Sequence, residues 1–527
     1  MAAAAAPAPA ARRGTLVCAS LMARSSREMA AEVAAAAALG ADAAELQVGC
    51  INGFQPRRDL PVLLAQPRPL PVIVTYRPKW EGGQYEGEDE PRFEVLLLAM
   101  ELGAEYVDIE LKVADKFLNF LSGRKPEACK LIVSFHNYEY TPSVDELLSL
   151  VDQIQATGAD IVKIATSATE IDDVSRMFQV LVHCQAKQVP IIGLVMKERG
   201  FISQVLCAKY GGYLTFASLE KGKESAPGQP TVADLINKYN IRQIGPDTKV
   251  IGIIGNPVSH SKSLTVQNQA FRSVGFNGVF LPFLSDDLVK FLKTFSSPEY
   301  VGFSCTMPHK ETAVRCCDYL DPIARDIGAI NTIVRRPDGK LAGYNTDYTG
   351  AISAIEDAIR ASQPIDPTTS PLARRLFVVI GAGGAAKAVA YGAKEKGARV
   401  VIANRTFARA QELARLIGGT ALTMAELESY HPEDGMILAN ATSVGMYPNV
   451  NGTPLSKEAL GNYSIVFDAV FVPKETRLLR EAAECGIKVV NGLEMLARLV
   501  VVQFEFFTGG MPAPQRLIRD AIMTNTQ

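Results

Sequence analysis

Eight short apolar runs in the first half of the chain constrain its fold more than any other feature. They are TLVCAS (15–20), AAELQV (43–48), PVIVTYR (71–77), YVDIEL (106–111), KLIVSFH (130–136), DIVKIAT (160–166), PIIGLVM (190–196) and YLTFASL (213–219). They are rich in β-branched residues, mostly do not alternate with polar ones, and are bounded by turn residues, as strands covered on both faces are. Segments with helical spacing, such as VDELLSLVDQIQATG (144–158), lie between them. Eight strand–helix pairs in so short a stretch predict a (β/α)8 TIM barrel over residues 15–240 rather than an open doubly wound sheet.

A barrel of this kind works at the C-terminal ends of its strands. Arg77, Glu110, His136 and Lys163 fall at or near those ends on strands three to six. Lys163 interrupts an otherwise apolar strand. An unpaired buried ammonium is costly, so burial alone lowers its pKa toward neutrality, and the neutral amine can attack a ketone to form a Schiff base. The alternative is an ammonium paired with a neighbouring carboxylate. His136 ends the preceding strand and Glu110 the one before that. An imine-forming amine, an acid/base and its orienting carboxylate on consecutive strands form a coherent set, although each alone also fits a satisfied core residue.

The polar stretch NKYNIRQIGPDTK (237–249), with its Gly-Pro, marks a domain boundary, and KVIGIIG (249–255) opens a new strand. After a second loop, ASQPIDPTTSP (361–371), comes LFVVIGAGGAAKAVAYGAKEKGARVVIANRT (376–406). Its Gly381-x-Gly383-x-x-Ala386 pattern sits in a strand–turn–helix–strand context that predicts a dinucleotide-binding Rossmann unit. Gly381, Gly383, Gly384 and Ala385 form the turn, where the pyrophosphate meets a helix N-terminus. The second strand ends in Asn404, Arg405 and Thr406, a cation with no acid. That suits a 2′-phosphate and favours NADP over NAD.

Upstream of that fingerprint, GNPVSHSKS (255–263) clusters hydroxyls at Ser259, Ser261 and Ser263. FSCTMPHK (303–310) presents Lys310, and GYNTDY (343–348) presents Asp347. A Lys–Asp pair facing a substrate hydroxyl can move the proton that accompanies hydride transfer; a structural ion pair is the alternative.

Composition narrows the partners. There are 54 Lys and Arg against 56 Asp and Glu, so no basic excess draws the chain to nucleic acid. Nine cysteines without a C-x-x-C pair argue against a disulfide scaffold or zinc ribbon and for a reducing compartment, and the five histidines are too scattered for a metal site. No uncharged apolar run is long enough to span a membrane. Small-molecule substrates are expected; the sequence leaves the oligomeric state open and is compatible with a monomer. Residues 1–14, Ala- and Pro-rich with Arg12 and Arg13, read as a disordered leader.

VTYRPKWEGG (74–83), VDIEL (107–111), SFHNY (134–138), DIVKIAT (160–166) and SAPGQP (225–230) together resemble type I 3-dehydroquinate dehydratase. That resemblance implies an imine on Lys163, proton transfer by His136, orientation of His136 by Glu110, and substrate contacts from Glu45, Arg77, Ser225 and Gln229. The second half resembles shikimate dehydrogenase through GNPVSHSKS, T-x-PHK, NT (331–332), NTD, GAGGA, NRT, TSVGM (442–446) and FDAV (467–470). It implies a substrate domain over 249–360 completed by 493–527, and an NADP domain over 372–492. Lys310 and Asp347 would be catalytic, Ser261, Ser263, Thr306 and Asn331 would bind substrate, and Met446 and Gly492 would line the nicotinamide pocket. The order of the two halves resembles bifunctional plant enzymes of the shikimate pathway. A chloroplast location is therefore expected, or the cytosol if the short leader is the true N-terminus.

Some positions depart from these patterns. Gln47 and Gly49 stand where the dehydratase family has Arg and Asp on strand two, and Gln204 stands where it has Arg after strand seven. In the second half, Leu264 and Gln267 replace Pro and His, Phe471 replaces Tyr, and a substrate-binding Gln falls on Leu499 with Gln503 one helical turn on. An amide binds an anionic or hydroxyl-rich substrate less strongly than a guanidinium fork. A weakened dehydratase, or a shikimate or quinate dehydrogenase carrying a non-catalytic barrel, is thus the competing expectation. Gln47→Arg with Gln204→Arg should raise kcat/KM on dehydroquinate in a steady-state assay; an unchanged value would refute the loss of grip.

Overall fold

A computed structural model describes residues 14–259, 261–362 and 369–524. The expected leader, apart from Gly14, and the middle of the 361–371 loop lie outside the described residues. The chain divides into two compact units near Lys249, with short segments between 277 and 285 shared between them.

The first unit carries eight strands: β1 (Leu16–Leu21), β2 (Ala43–Gln47), β3 (Val72–Thr75), β4 (Tyr106–Glu110), β5 (Lys130–His136), β6 (Ile161–Ser167), β7 (Ile191–Met196) and β8 (Leu214–Ala217). They run in the order β7-β6-β5-β4-β3-β2-β1-β8, and the registered pairs are all parallel. This is a nearly closed α/β barrel. At the seam between β7 and β8, Tyr213 N donates to Ile191 O at 2.7 Å. Side chains alternate along a strand, so Asp108 and Glu110 on β4, and Ser134 and His136 on β5, share one face. The register sets Ser134 beside Lys163 and Glu110 beside Ser134, which gathers these groups in one layer.

The second unit holds two six-stranded sheets. The first contains β9 (Lys249–Gly255), β10 (Gly278–Leu284), β11 (Tyr300–Cys305), β12 (Tyr319–Leu320), β13 (Thr332–Arg335) and β14 (Leu341–Tyr344), in the order β10-β9-β11-β13-β14-β12. β9 and β11 are parallel, while β13 is antiparallel to both β11 and β14. The segments following β9, β11 and β14 and the one preceding β13 therefore leave the sheet at the same end. The second sheet contains β15 (Leu376–Ile380), β16 (Arg399–Ala403), β17 (Thr420–Leu422), β18 (Met436–Asn440), β19 (Tyr463–Asp468) and β20 (Lys488–Val490). Its order, β17-β16-β15-β18-β19-β20 with parallel pairing, is the doubly wound dinucleotide-binding arrangement. Both faces are covered. Phe377 and Val379 of β15 belong to one apolar cluster, and Leu376, Val378 and Ile380 to the other. That two-sided burial is why the strand reads as a continuous apolar run rather than an alternating one.

The helix Gly492–Phe507 joins the two sheets. Its Leu499 packs toward the dinucleotide-domain core, whereas Gln503 is fully buried beside β11 and β13. A Cβ on Gly350 would lie 2.8 Å from Met495 O, so this glycine sets the close approach of the helix Thr346–Arg360 to it. No helix among the described residues is long and apolar enough to cross a membrane.

Candidate active sites

The barrel holds a partly open cavity lined by Glu45, Gln47, Arg77, His136, Lys163, Gln204, Ser225 and Gln229, among others. Lys163 Nζ donates to Asp108 Oδ2 at 2.7 Å and to Glu45 Oε1 at 3.2 Å, and sits 4.5 Å from the centre of the Phe216 ring. Asp108 Oδ1 accepts from Arg77 at 2.9 Å and from Ser134 Oγ at 2.7 Å. Glu45 is held in turn by Ser20 and Thr75. Ser225 N and Oγ donate to Gln229 Oε1 at 2.9 and 3.2 Å, and Thr215 Oγ1 donates to Gln204 Oε1 at 3.2 Å.

One expectation needs correcting, and one open alternative is decided. The first concerns Glu110, which does not touch His136. Its carboxylate accepts from Arg92 at 2.6 Å and from Arg77 at 3.3 Å, because the strand alternation that points it inward delivers it to two guanidinium groups. The carboxylate on His136 is Glu81, whose Oε1 lies 2.9 Å from Nδ1 and accepts from the His136 backbone N at 3.1 Å. Glu81 closes the turn Lys79–Glu81 just beyond β3. It stands in the quoted VTYRPKWEGG segment, so its signal was an acid four residues past Arg77. The second concerns the charge on Lys163. Burial does pull its pKa down, but Asp108 and Glu45 outweigh that pull, and the ammonium is held above its ordinary value. Burial acts against the Asp108 carboxylate too, yet Arg77 and Lys163 keep it well below the usual range. Asp108 was missed although it alternates with Glu110 within VDIEL.

Burial favours the neutral form of both members of the His136–Glu81 pair. It pushes His136 well below its ordinary value, with Arg77 and Lys163 adding to the effect, and it lifts Glu81 to about 8. A neutral imidazole held at Nδ1 leaves Nε2 for proton transfer.

In the second unit the loops after β9 and β11 meet where Asn256 N donates to Met307 O at 3.0 Å. These loops bring Ser261, Ser263 and Thr306 to the shared sheet end. Asn331 enters from the start of β13: Cys305 N donates to its O at 2.7 Å, while its Oδ1 accepts from Thr346 N at 2.8 Å. Asn345 caps the helix that carries Asp347, accepting from Tyr348 N. The Lys310 ammonium is bonded to the largely buried carboxylate of Asp347. Gln503 Nε2 donates to Thr332 Oγ1 at 3.0 Å and to Asn331 O at 3.3 Å, so an amide does stand behind Asn331, one turn from Leu499.

The glycine turn fits a dinucleotide. Gly381 has φ +120°, a conformation that favours glycine. Gly383 has open space where a Cβ would stand, and it precedes the free N-terminus of the helix Gly384–Glu395. A Cβ on Gly384 would lie 2.8 Å from Lys310 Cβ, so the turn abuts the Lys–Asp pair. Asn404 Nδ2 donates to Thr406 O, and Arg405 is exposed beyond the end of β16. A second guanidinium, which sequence reasoning did not pick out, reaches the glycine turn: Arg409 donates to Ala382 O at 3.1 Å. Met446 lies on a loop anchored by Asn440, which bonds Thr442 and Asp468; burial raises Asp468 to about 6. A Cβ on Gly492 would lie 2.6 Å from Ala469 O, so the chain at Gly492 passes close to the segment that follows β19.

These sites define a lysine-centred barrel joined to a dinucleotide-dependent dehydrogenase unit. Family models match in three places: type I 3-dehydroquinase over 17–246, the shikimate dehydrogenase substrate binding domain over 253–333, and shikimate / quinate 5-dehydrogenase over 367–447. The bifunctional 3-dehydroquinate dehydratase/shikimate dehydrogenase, chloroplastic, of Arabidopsis thaliana is 59% identical over 508 residues, 95% of this chain and 83% of that protein. The shikimate dehydrogenase (NADP(+)) of Caldanaerobacter subterraneus is 36% identical over 279 residues, 51% of this chain and 94% of that protein. A solved structure of dehydroquinate dehydratase and shikimate dehydrogenase from S. pombe AroM is 23% identical, covers 97% of this chain and 99% of that one, and has a TM-score of 0.42. The chain belongs to the bifunctional 3-dehydroquinate dehydratase/shikimate dehydrogenase family.

The raised Glu81 carboxyl predicts a pH dependence of stability. Because folding favours its protonated form, its contribution is full below about pH 4.5, falls as the pH rises, and is gone above about 8. Glu81→Gln stays neutral throughout. Urea unfolding at pH 6 and pH 9 should show a smaller loss of stability for the variant than for the natural chain; equal losses would contradict the burial argument.

Proposed function

We propose that the chain carries out two consecutive reactions: the barrel eliminates water from 3-dehydroquinate to give 3-dehydroshikimate, and the second unit reduces that ketone to shikimate with NADPH. The observation that carries the first step is the Lys163 ammonium seated between Asp108 and Glu45 with His136 in the same cavity. Ketone and ammonium combine into an iminium and one water: the carboxylates take a proton from the ammonium as the C–N bond forms and return it to the oxygen that leaves as water. Nζ is cationic before and after, so the carboxylates that raise the ammonium pKa also stabilise the iminium. They do not oppose the chemistry. Neutral His136, braced by Glu81, then takes the proton from the carbon next to the iminium. The resulting enamine expels the β-hydroxyl, to which His136 returns the proton. Hydrolysis of the iminium by water restores Lys163, so the net change is the loss of one water. Arg77, Ser225 and Gln229 line the cavity as substrate contacts.

In the second unit Gly381, Gly383, Gly384, Ala385, Asn404, Arg405 and Thr406 would hold NADP, and Met446 and Gly492 would flank its nicotinamide. Bound NADPH supplies the hydride. Lys310 donates a hydrogen bond and then a proton to the ketone oxygen, and Asp347 keeps that ammonium in place. Ser261, Ser263, Thr306 and Asn331 would bind the substrate hydroxyls and carboxylate at the same end of the sheet. A plastid location belongs to this proposal and rests on the chloroplastic relative.

Borohydride reduction in the presence of dehydroquinate should fix a covalent adduct on the peptide containing Lys163, seen by mass spectrometry and lost in Lys163→Ala. His136→Ala should still form the adduct while dehydration slows about 10²–10⁴-fold. No adduct at Lys163 would refute the barrel mechanism.

A further inference from the structure

Glu311, which follows Lys310 in the chain, makes an unusual set of contacts. Its Oε2 lies 3.0 Å from Lys387 Nζ and its Oε1 lies 3.1 Å from Arg409. Lys387 belongs to the first turn of the helix behind the glycine turn, and Arg409 to the first turn of the helix Phe407–Ile417 that follows β16. Arg409 also reaches Ala382 O. One carboxylate from the substrate domain thus holds two cations of the dinucleotide domain, and both flank the path from the glycine turn to the end of β16. In a doubly wound sheet the pyrophosphate lies at the first of these places and the adenosine ribose, with any 2′-phosphate, at the second.

We propose that Glu311 is an internal anion that occupies Arg409, a cation bordering the 2′-phosphate site, and must be displaced from it when NADP binds. This deepens the NADP reading given above and rests on it. The 2′-phosphate carries close to two negative charges at neutral pH and presents three acceptor oxygens, so it outcompetes a single carboxylate for a guanidinium. NAD presents a ribose hydroxyl there and cannot displace Glu311 from Arg409. The competition therefore weakens NADP affinity while leaving NAD almost untouched, so Glu311 moderates the preference for NADP rather than adding to it. Glu311 and Arg409 are 42% and 52% exposed, so solvent screens the pair and the effect is moderate.

The test is titration of NADP+ and of NAD+ into the full chain and into Glu311→Gln, at low and at physiological salt, with Tm recorded for both proteins. Glu311→Gln should tighten NADP+ by about three- to tenfold at low salt, with a smaller gain at higher salt, while NAD+ changes by less than about twofold. An unchanged or weaker NADP+ affinity, or an equal shift for both dinucleotides, overturns the proposal. Arg409→Gln separates this from a failure of the underlying reading: it should abolish the difference that Glu311→Gln makes while the chain still binds dinucleotide. A natural chain that binds neither nucleotide, or prefers NAD+, refutes the NADP reading itself, and the proposal with it.

Discussion

The barrel chemistry depends on one carboxylate. Asp108 accepts from Lys163 and Arg77 at once, through different oxygens, inside a cavity where each of these charges alone would be costly. Glu45 supports the lysine and Glu110 the arginine, while Arg92 braces Glu110 from behind. Lys163, Asp108, Arg77 and Glu110 each touch two opposite charges, so removing one member strips a counterion from its neighbours. The network is therefore a condition for placing a nucleophilic lysine in a barrel at all. It also sets that lysine's charge, because these carboxylates stabilise the ammonium, and in the proposed mechanism they stabilise the iminium as well.

The second unit solves a related problem with backbone. Parallel and antiparallel pairing in the first sheet send four connecting segments out of one end, where Lys310 and Asp347 meet. The glycine turn of the neighbouring sheet approaches so closely that Gly384 has no room for a side chain beside Lys310. A hydride donor bound along that turn would then lie beside Lys310, the proposed proton donor. The helix Gly492–Phe507 fixes the two sheets relative to each other, with Leu499 on one side and Gln503 on the other.

Much of this was legible in the sequence, and what escaped did so for physical reasons. Lys163 and His136 stand out because they break apolar runs, and the glycine turn because its spacing sits between a strand and a helix. Asp108 was hidden inside a run read as apolar, although strand alternation places it on the face of Glu110. Glu81 lies in a turn, where strand periodicity carries no information, so the carboxylate role went to Glu110. The sequence leaves the charge of Lys163 open between a neutral amine and a carboxylate-paired ammonium, because only folding brings Asp108 and Glu45 to it. Arg409 and Glu311 lie 98 positions apart, and no local pattern links them.

The account joins two reactions through one intermediate, and the most direct test supplies only the first substrate. The purified chain is given dehydroquinate and NADPH, and nucleotide absorbance is followed. The account predicts NADPH consumption after a lag in which dehydroshikimate accumulates, and none with Lys163→Ala until dehydroshikimate is added. Failure of the natural chain to consume NADPH on dehydroquinate, while it reduces supplied dehydroshikimate, would contradict a catalytic barrel.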